Sequence, residues 1–259
     1  MVVIFVQSHI VLDGEFFRVR PVERVIEEIQ SIPQKYLIFN DASLTINPEY
    51  TKRLFKHMKE LNKKFFCYGN ANVLLRDEEL LKLAHEAGCM SWFIGFDSVS
   101  QKSINTIGKR TNKVNEYTAV INKIHDFGMN VEGSFMFGFD TDTSDIFDCT
   151  LEFICDSEID KAEFHILTPF PDTPLFDRLE KQNRILTKDW SKYDSKNVVF
   201  KPKHITAEEL IDGVEKMYAG FYNPSNMLKI IGRYVNKGFY PLVSSVSLSF
   251  QGLKYSSKK

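Results

Sequence analysis

The sequence predicts an α/β fold in which helices cover a parallel β-sheet. Short apolar segments alternate with amphipathic helical segments along most of the chain. The apolar segments lack the alternation of a half-exposed strand, which is typical of parallel strands buried on both faces. With 259 residues, 43% of them hydrophobic, the chain can form one such domain with a helical appendage. A doubly wound sheet and a curved barrel share this pattern, so periodicity alone does not separate them.

The elements follow one another in a regular order as far as residue 167. Strands are predicted at 35–40, 65–68, 92–96, 131–139 and 164–167. Helices are predicted from Pro21 onward and at 50–61, 77–87, 114–127 and 145–155, with Gly88 and Gly128 as C-terminal caps and Ser144 as an N-cap. Residues 172–200 are predicted to be irregular, and a helix capped by Thr206 is predicted at 207–222. We therefore divide the chain into a core, 1–200, and a C-terminal helical extension, 201–259.

Composition excludes several classes of function. The net charge of −1 gives no electrostatic reason to expect a nucleic-acid partner. The apolar start MVVIFVQ is too short to span a membrane and lacks the features of a signal peptide. Four cysteines without C-x-x-C spacing match no zinc site, and we expect a cytoplasmic chain without disulfides or a metal site.

Polar residues and glycines gather where the predicted strands end, which is where parallel α/β folds bind ligands. These strand ends are Asn40–Asp41, Gly69–Asn72, Gly95–Ser98, Gly133–Ser134 with Gly138–Asp140, and Thr168–Pro174. Any one of them is explained by turn formation. All five together favour a binding site.

Other candidate groups have simpler explanations. Neither a dinucleotide nor a P-loop motif is present. His165 lies in an apolar strand and is interpreted as a core histidine. Cys67 and Cys89 are interpreted as core thiols, and Cys149 and Cys155 lie six residues apart on one helix and cannot bind a metal together.

Four segments, in this order and spacing, resemble the radical S-adenosylmethionine (radical SAM) superfamily, in particular its cobalamin-associated branch. They are IFNDASLTINPEY, AGCMSWFIGFDSVSQKSINTIGKRTN, GMNVEGSFMFGFDTD and ILTPFPDTPLFDRLEKQNRIL. The resemblance implies a partial (β/α)6 TIM-like barrel with a small C-terminal helical extension. It also implies S-adenosylmethionine, a four-iron four-sulfur cluster bound by C-x-x-x-C-x-x-C, and reductive formation of a 5′-deoxyadenosyl radical.

The cluster motif is absent from this sequence. Aligning Arg20-Pro21 with the family places Val3 and Val6 where the second and third cysteines would stand. In this alignment the first cysteine, the first barrel strand and any cobalamin-binding domain would precede Met1. The chain is then either truncated or a degenerate homologue. We favour truncation, because the other motifs are intact.

The resemblance also assigns expected roles to residues of this chain. Cofactor-binding residues would be Asn70, Asn72, Asp97, Ser98, Gly133, Ser134, Gly138, Thr168 and Phe170. Asp97 and Ser98 match the family's acid–serine pair and would bind the ribose or the methionine ammonium. Asp41 and Lys109 would lie on the substrate side, and Lys109 is equally well explained as a solvent-facing lysine at a helix end. No catalytic side chain is assigned.

Three functions are compatible with these observations. The first is a radical SAM core that modifies a small-molecule substrate, for example by methylation, and is inactive alone because the cluster cysteines are missing. The second is a non-catalytic barrel that binds S-adenosylmethionine or a partner. The third is a hydrolase or lyase using Asp41 and Asp97, ranked last because no nucleophile–base pair accompanies them.

Overall fold

The computed structural model describes residues 2–4, 7–9 and 17–234, and side chains between Val19 and Arg233. The strands are β1 (Val2–Ile4), β2 (Gln7–His9), β3 (Phe17–Val19), β4 (Tyr36–Phe39), β5 (Lys64–Tyr68), β6 (Cys89–Asp97), β7 (Asn130–Phe137) and β8 (Lys161–Ile166). The helices are α1 (Val22–Ser31), α2 (Pro48–Met58), α3 (Ala71–Arg76), α4 (Glu78–Ala87), α5 (Gln101–Thr106), α6 (Tyr117–Asp126), α7 (Ile146–Asp156), α8 (Pro174–Lys181), α9 (Ala207–Phe221) and α10 (Pro224–Tyr234).

Six strands form one sheet in the order β1-β4-β5-β6-β7-β8, and β2 and β3 form a separate antiparallel pair. The pairings β1–β4, β4–β5 and β5–β6 are parallel. We expected the first barrel strand to be absent, but β1 takes a position at the edge of this sheet, where Val3 pairs with Ile38. Val3 therefore belongs to a strand and not to a cluster-binding loop. Val6 lies outside the described residues.

The predicted helices are confirmed, with local differences at their ends. Gly88 and Gly128 have positive φ angles of 95° and 74°, which explains glycine at both helix ends. The predicted cap Ser144 is wrong. Asp145 occupies the N-cap of α7 and makes no capping side-chain bond. Its carboxylate instead accepts a hydrogen bond from the Thr143 hydroxyl.

The prediction of irregular structure between 172 and 200 is also wrong in part. Helix α8 lies there, begun by Thr173, whose hydroxyl accepts from the backbone N–H of Phe176 at 3.2 Å. Further along, Ile185 bridges to Phe200 in antiparallel fashion. Helix α9 begins with the predicted Thr206, which forms a capping box with Glu209.

The chain divides into two compact units, and each is described by itself. The first unit contains the chain up to Gly95 together with Thr111–Gly133, and the second contains Phe96–Arg110 and the chain from Ser134 onward. In the first unit the helix-packed side of the sheet is aromatic. Phe65 of β5 packs its ring 5.4 Å from Phe55 of α2 and 5.1 Å from Phe39 of β4. The packing of these rings holds β4 and β5 against α2.

The second unit has its own aromatic core. Phe137 of β7 and Phe147 of α7 lie 4.8 Å apart between ring centroids, and Phe164 of β8 lies 5.0 Å from Tyr218 of α9. Helix α9 therefore packs on both β8 and α7, which the close approach of Gly213 to Phe147 also shows. Within residues 17–234, the structure contains no helix with the length and apolar character needed to cross a membrane.

Candidate functional site

In the first unit, the loops that follow β4 and β5 are joined by a hydroxyl pair. Thr45 shares a 2.8 Å hydrogen bond with Ser43, and its hydroxyl accepts the backbone N–H of Asn70 at 2.8 Å. Ser43 and Thr45 are both buried. Sequence reasoning missed this pair, although the polar run directly after β4 contains it. The pair fixes the position of Asn70, one of the predicted cofactor-binding residues.

Asn72 carries an unsatisfied buried atom at the same strand end. It lies in the first turn of α3, and its buried Oδ1 finds no hydrogen-bond partner among the described residues. A buried carbonyl oxygen without a donor costs about 1–3 kcal/mol. A ligand that brings a hydroxyl or ammonium group would remove this cost. The predicted role of Asn72 in cofactor binding stays a prediction.

Asp41 is buried, with 2% of its surface exposed, directly after β4. Burial, followed by the charge of Asp41, raises the pKa of Tyr50 to about 12. Asp41 therefore lies near Tyr50, whose hydroxyl donates to the backbone carbonyl of Arg20 at 2.7 Å. The predicted substrate-side role of Asp41 stays a prediction.

The parts of β6 and β7 that belong to this unit are close-packed. The side chain of Asn112 donates to the backbone carbonyl of Gly95 at 2.9 Å and is itself buried. Gly133 is buried within β7. Asn112 was not among the predicted site residues, and an asparagine 17 positions after Gly95 gives no local signal of this contact.

The opposite side of the sheet in the first unit presents aromatic side chains. Phe66 and Tyr68 of β5 and Phe93 of β6 are half-buried, whereas their strand neighbours Phe65, Cys67 and Trp92 are buried. The rings of Tyr68 and Phe93 lie 4.8 Å apart between centroids. A half-buried aromatic pair is a suitable contact for a flat apolar ligand.

In the second unit, two predicted site residues form an ion pair with each other. The Lys109 ammonium lies 2.6 Å from Oδ2 of Asp97, and the two side chains are 31% and 15% exposed. Asp97 adopts a left-handed backbone conformation with φ of 63°, directly at the end of β6. Non-glycine residues adopt this conformation rarely, and often at functional sites. The bond to Lys109 occupies one of several acceptor positions of the carboxylate.

The other predicted residues of this unit lie mainly in turns. The Ser98 hydroxyl accepts the N–H of Ser100 at 3.1 Å, and the Thr168 hydroxyl donates to the carbonyl of Ile166 at 3.1 Å. Ser134 is half-buried in β7, and Phe170 is 49% exposed. Their predicted roles in cofactor binding stay predictions.

Gly138 is held by a buried carboxylate that sequence reasoning missed. Both Gly138 and Phe139 donate their backbone N–H groups to Oδ2 of Asp142, each at 3.0 Å. The Ser103 hydroxyl donates to Oδ1 of Asp142 at 2.8 Å. Burial raises the pKa of Asp142, although these hydrogen bonds act in the opposite direction. The turn after β7 is therefore shaped by Asp142.

A second acid in this turn pairs with an arginine from a later segment. Arg184 donates to Oδ1 of Asp140 at 2.6 Å and to the backbone carbonyl of Lys201 at 2.8 Å. The guanidinium lowers the pKa of Asp140. This pair connects the turn after β7 to the bridge between Ile185 and Phe200.

The interpretation of His165 as a core histidine is wrong. Its side chain is 32% exposed and lies 3.5 Å from Oε2 of Glu163. Lys161, Glu163 and His165 are half-buried, and they alternate with the buried Ala162, Phe164 and Ile166. The strand therefore has one buried side and one partly exposed side, and His165 lies on the partly exposed side, opposite Phe164.

The cysteines of this chain do not fit a four-iron cluster. Cys67 and Cys89 are buried in the first unit with their sulfurs 3.7 Å apart, and burial raises the pKa of Cys67, which opposes the thiolate form that iron binds. Cys149 and Cys155 are exposed in the second unit. In the part of the chain that the structure describes, no group of three or more His, Cys, Asp and Glu side chains could hold a metal ion.

Two known sequence families match consecutive parts of the chain. The profile of the radical SAM superfamily matches residues 8–154, and a domain of unknown function (DUF4070) matches residues 173–242. The first match covers more than half of the chain.

Among curated proteins, bacteriochlorophyllide d C-12(1)-methyltransferase of Chlorobaculum tepidum is 31% identical over 225 residues, which are 83% of this chain and 48% of that protein. Anaerobic magnesium-protoporphyrin IX monomethyl ester cyclase of Cereibacter sphaeroides is 29% identical over 214 residues, 80% of this chain and 34% of that protein. The chain thus spans between a third and a half of the length of these relatives.

A solved structure shares the fold. The radical SAM methyltransferase TsrM from Kitasatospora setae, with cobalamin and a [4Fe-4S] cluster bound, superposes with a TM-score of 0.69 at 13% identity. The superposition covers 98% of this chain and 61% of TsrM. At this identity the likeness concerns the fold, and it confirms the predicted partial (β/α)-barrel class.

Proposed function

Because the chain belongs to the radical SAM superfamily, we propose that it is the S-adenosylmethionine-binding core of an enzyme that modifies a small molecule by radical chemistry, such as methylation. When bound, S-adenosylmethionine supplies the methyl group or the radical for such a modification. The observation that carries the assignment to this cofactor is the match of residues 8–154 to the radical SAM family. The buried Oδ1 of Asn72, which has no hydrogen-bond partner among the described residues, is a candidate acceptor for it. Asp97 of the second unit is a predicted cofactor-binding residue, and its carboxylate, 15% exposed, is paired with Lys109.

The chain alone is proposed to be inactive in radical formation, since its cysteines do not fit the cluster. The proposal extends to a partner domain that binds cobalamin. The sequence resembles the cobalamin-associated branch, and the TsrM structure of the same fold holds cobalamin. A non-catalytic barrel that binds S-adenosylmethionine is the alternative, and both forms share the binding residues.

The cofactor assignment predicts that Asn72→Ala and Asp97→Ala each weaken binding of S-adenosylmethionine by about 1–3 kcal/mol, the usual cost of losing a hydrogen bond that involves a charged group. Isothermal titration calorimetry after anaerobic iron and sulfide treatment would measure this, together with iron content, which we expect to remain well below a full cluster. Asp126→Ala, at the exposed end of α6, is the matched control. Wild-type affinity in both site variants would remove these residues from the site, and a full four-iron cluster would overturn the assignment of inactivity.

The substrate is proposed to be a flat, largely apolar ring molecule. The half-buried Tyr68 and Phe93 pair supports this class, and the two curated relatives are named for bacteriochlorophyllide d and magnesium-protoporphyrin IX monomethyl ester. We expect protoporphyrin IX to bind the chain with a shift of its main absorption band, and Phe93→Ala to weaken binding about tenfold because a stacking contact of about 1 kcal/mol and its buried area are lost. Leu228→Ala, at an exposed position of α10, is the control. Equal affinity of Phe93→Ala and the wild type would exclude this surface.

A further inference from the structure

Strand β8 is the last strand of the described sheet, so one of its sides has no strand neighbour. An edge strand presents a row of backbone N–H and C=O groups that can pair with another chain. On β8 this row consists of the N–H and C=O groups of Ala162, Phe164 and Ile166, as their hydrogen bonds show. Each of these groups has a partner within the second unit.

Tyr218 of α9 and Tyr222, the C-cap of α9, pair with four of the six groups. The Tyr222 hydroxyl accepts the N–H of Ala162 at 3.3 Å and donates to the carbonyl of the same residue at 2.8 Å. The Tyr218 hydroxyl does the same for Phe164, at 3.3 Å and 3.2 Å. A tyrosine hydroxyl has one hydrogen to donate and lone pairs to accept, so one oxygen atom can satisfy both groups of a strand residue.

The remaining two groups belong to Ile166. Its N–H donates to the backbone carbonyl of Ser195 at 2.8 Å, and its carbonyl accepts from the Thr168 hydroxyl at 3.1 Å. Ser195 adopts a left-handed conformation with φ of 63°. The edge of β8 is therefore fully satisfied from Ala162 to Ile166.

The spacing of the two tyrosines matches the spacing of the strand. Residues two apart on a strand are separated by about 6.6 Å, and residues four apart on a helix by about 6 Å along its axis. Tyr218 and Tyr222 therefore reach Phe164 and Ala162 in opposite orders along the two elements. A helix running antiparallel to β8 thus replaces the hydrogen bonds of a neighbouring strand.

We infer that the segment from Ser195 to Tyr222 has a sheet-closing function: Ser195, Tyr218 and Tyr222 satisfy the edge of β8 and prevent β8 from pairing with β8 of a second copy. This segment, which includes α9, lies in the region that matches a domain of unknown function. The inference is independent of the cofactor, because none of these groups is a predicted cofactor-binding residue except Thr168, which contributes only the final hydrogen bond.

Amide hydrogen exchange resolved by residue tests this inference in the full chain. Tyr222→Phe is expected to speed exchange at Ala162 at least tenfold while Phe164 stays protected, and Tyr218→Phe is expected to do the reverse. Each single variant therefore controls the other. Tyr193→Phe, which loses a 2.8 Å hydrogen bond to the carbonyl of Thr187 away from the edge, should change neither amide.

The double variant Tyr218→Phe/Tyr222→Phe tests the consequence for association. We expect light scattering to show concentration-dependent dimers that the wild type and Tyr193→Phe do not form at the same concentrations. Unchanged exchange at Ala162 and Phe164 in the single variants would overturn the inference, as would a double variant with exposed amides that stays monomeric.

Discussion

Gly213→Ala is expected to lower the free energy of unfolding by about 1–3 kcal/mol, the range of overpacking in a tight core. A Cβ atom at Gly213 would lie 2.2 Å, 2.4 Å and 2.5 Å from three ring carbons of Phe147. Phe147 is buried against Phe137, so its ring has little room to move. The clash outweighs the gain of about 1 kcal/mol that alanine brings over glycine inside a helix. Urea denaturation followed by circular dichroism would measure the change.

Gly232→Ala in α10 is the matched control. A Cβ at this position meets no atom within 4 Å, so we expect a stabilisation of about 0.5–1 kcal/mol from helix propensity alone. Adding Phe147→Leu to Gly213→Ala should restore part of the lost stability, because the smaller side chain leaves space for the new methyl group. A Gly213→Ala variant as stable as the wild type would show that α7 and α9 are less closely packed than described.

Asp142→Ala is expected to cost about 3 kcal/mol, because it leaves the buried N–H groups of Gly138 and Phe139 and the Ser103 hydroxyl without their acceptor. Below about pH 3.9, where this carboxyl is protonated, Asp142→Asn should be nearly neutral. Its carbonyl can accept both N–H groups, its amide can donate to Ser103, and the Ser103 hydroxyl can donate to Thr141, 2.6 Å away. Thermal and urea unfolding of both variants would separate a loss of acceptors from a loss of charge.

The pH dependence of Asp142 has a definite sign. Burial raises its pKa in the folded state above the ordinary value of about 3.9. The folded protein then holds this proton more tightly than the unfolded chain. The stability that this group contributes is complete below about pH 3.9 and decreases as the pH rises through the folded pKa. Asp142→Asn should therefore gain stability relative to the wild type as the pH rises from about 3.9 through the folded pKa of Asp142, and a constant difference would contradict the assignment.

The alternation of strands and helices was sufficient to predict most of the fold, since apolar runs and helical periodicity are local properties. The exceptions have local causes. The eight-residue α8 follows a proline-rich turn that suggested irregular structure, yet Thr173-Pro174 is itself a helix-start signal. Likewise, Lys161, Glu163 and His165 alternate with apolar residues, and this period of two would have placed His165 outside the core.

The candidate site was predictable only as a set of strand ends. Asp97 and Lys109 were each identified from a motif, but their ion pair depends on the left-handed backbone at Asp97 and on the path of α5 between them. Asp142 carries no distinguishing signal in sequence, because a buried aspartate that accepts hydrogen bonds in a turn cannot be told from an exposed aspartate in a turn by residue type alone. Such contacts depend on tertiary structure, which periodicity does not encode.

The hydrogen bond from Asn112 to Gly95 joins the two points at which the chain leaves and re-enters the first unit. The two ends of the intervening segment Phe96–Arg110 are therefore held close together by a contact within the first unit. The entropy of closing a loop grows only with the logarithm of its length, so doubling this segment would cost the first unit about 0.6 kcal/mol. For the first unit, added sequence in this segment therefore has a small thermodynamic cost.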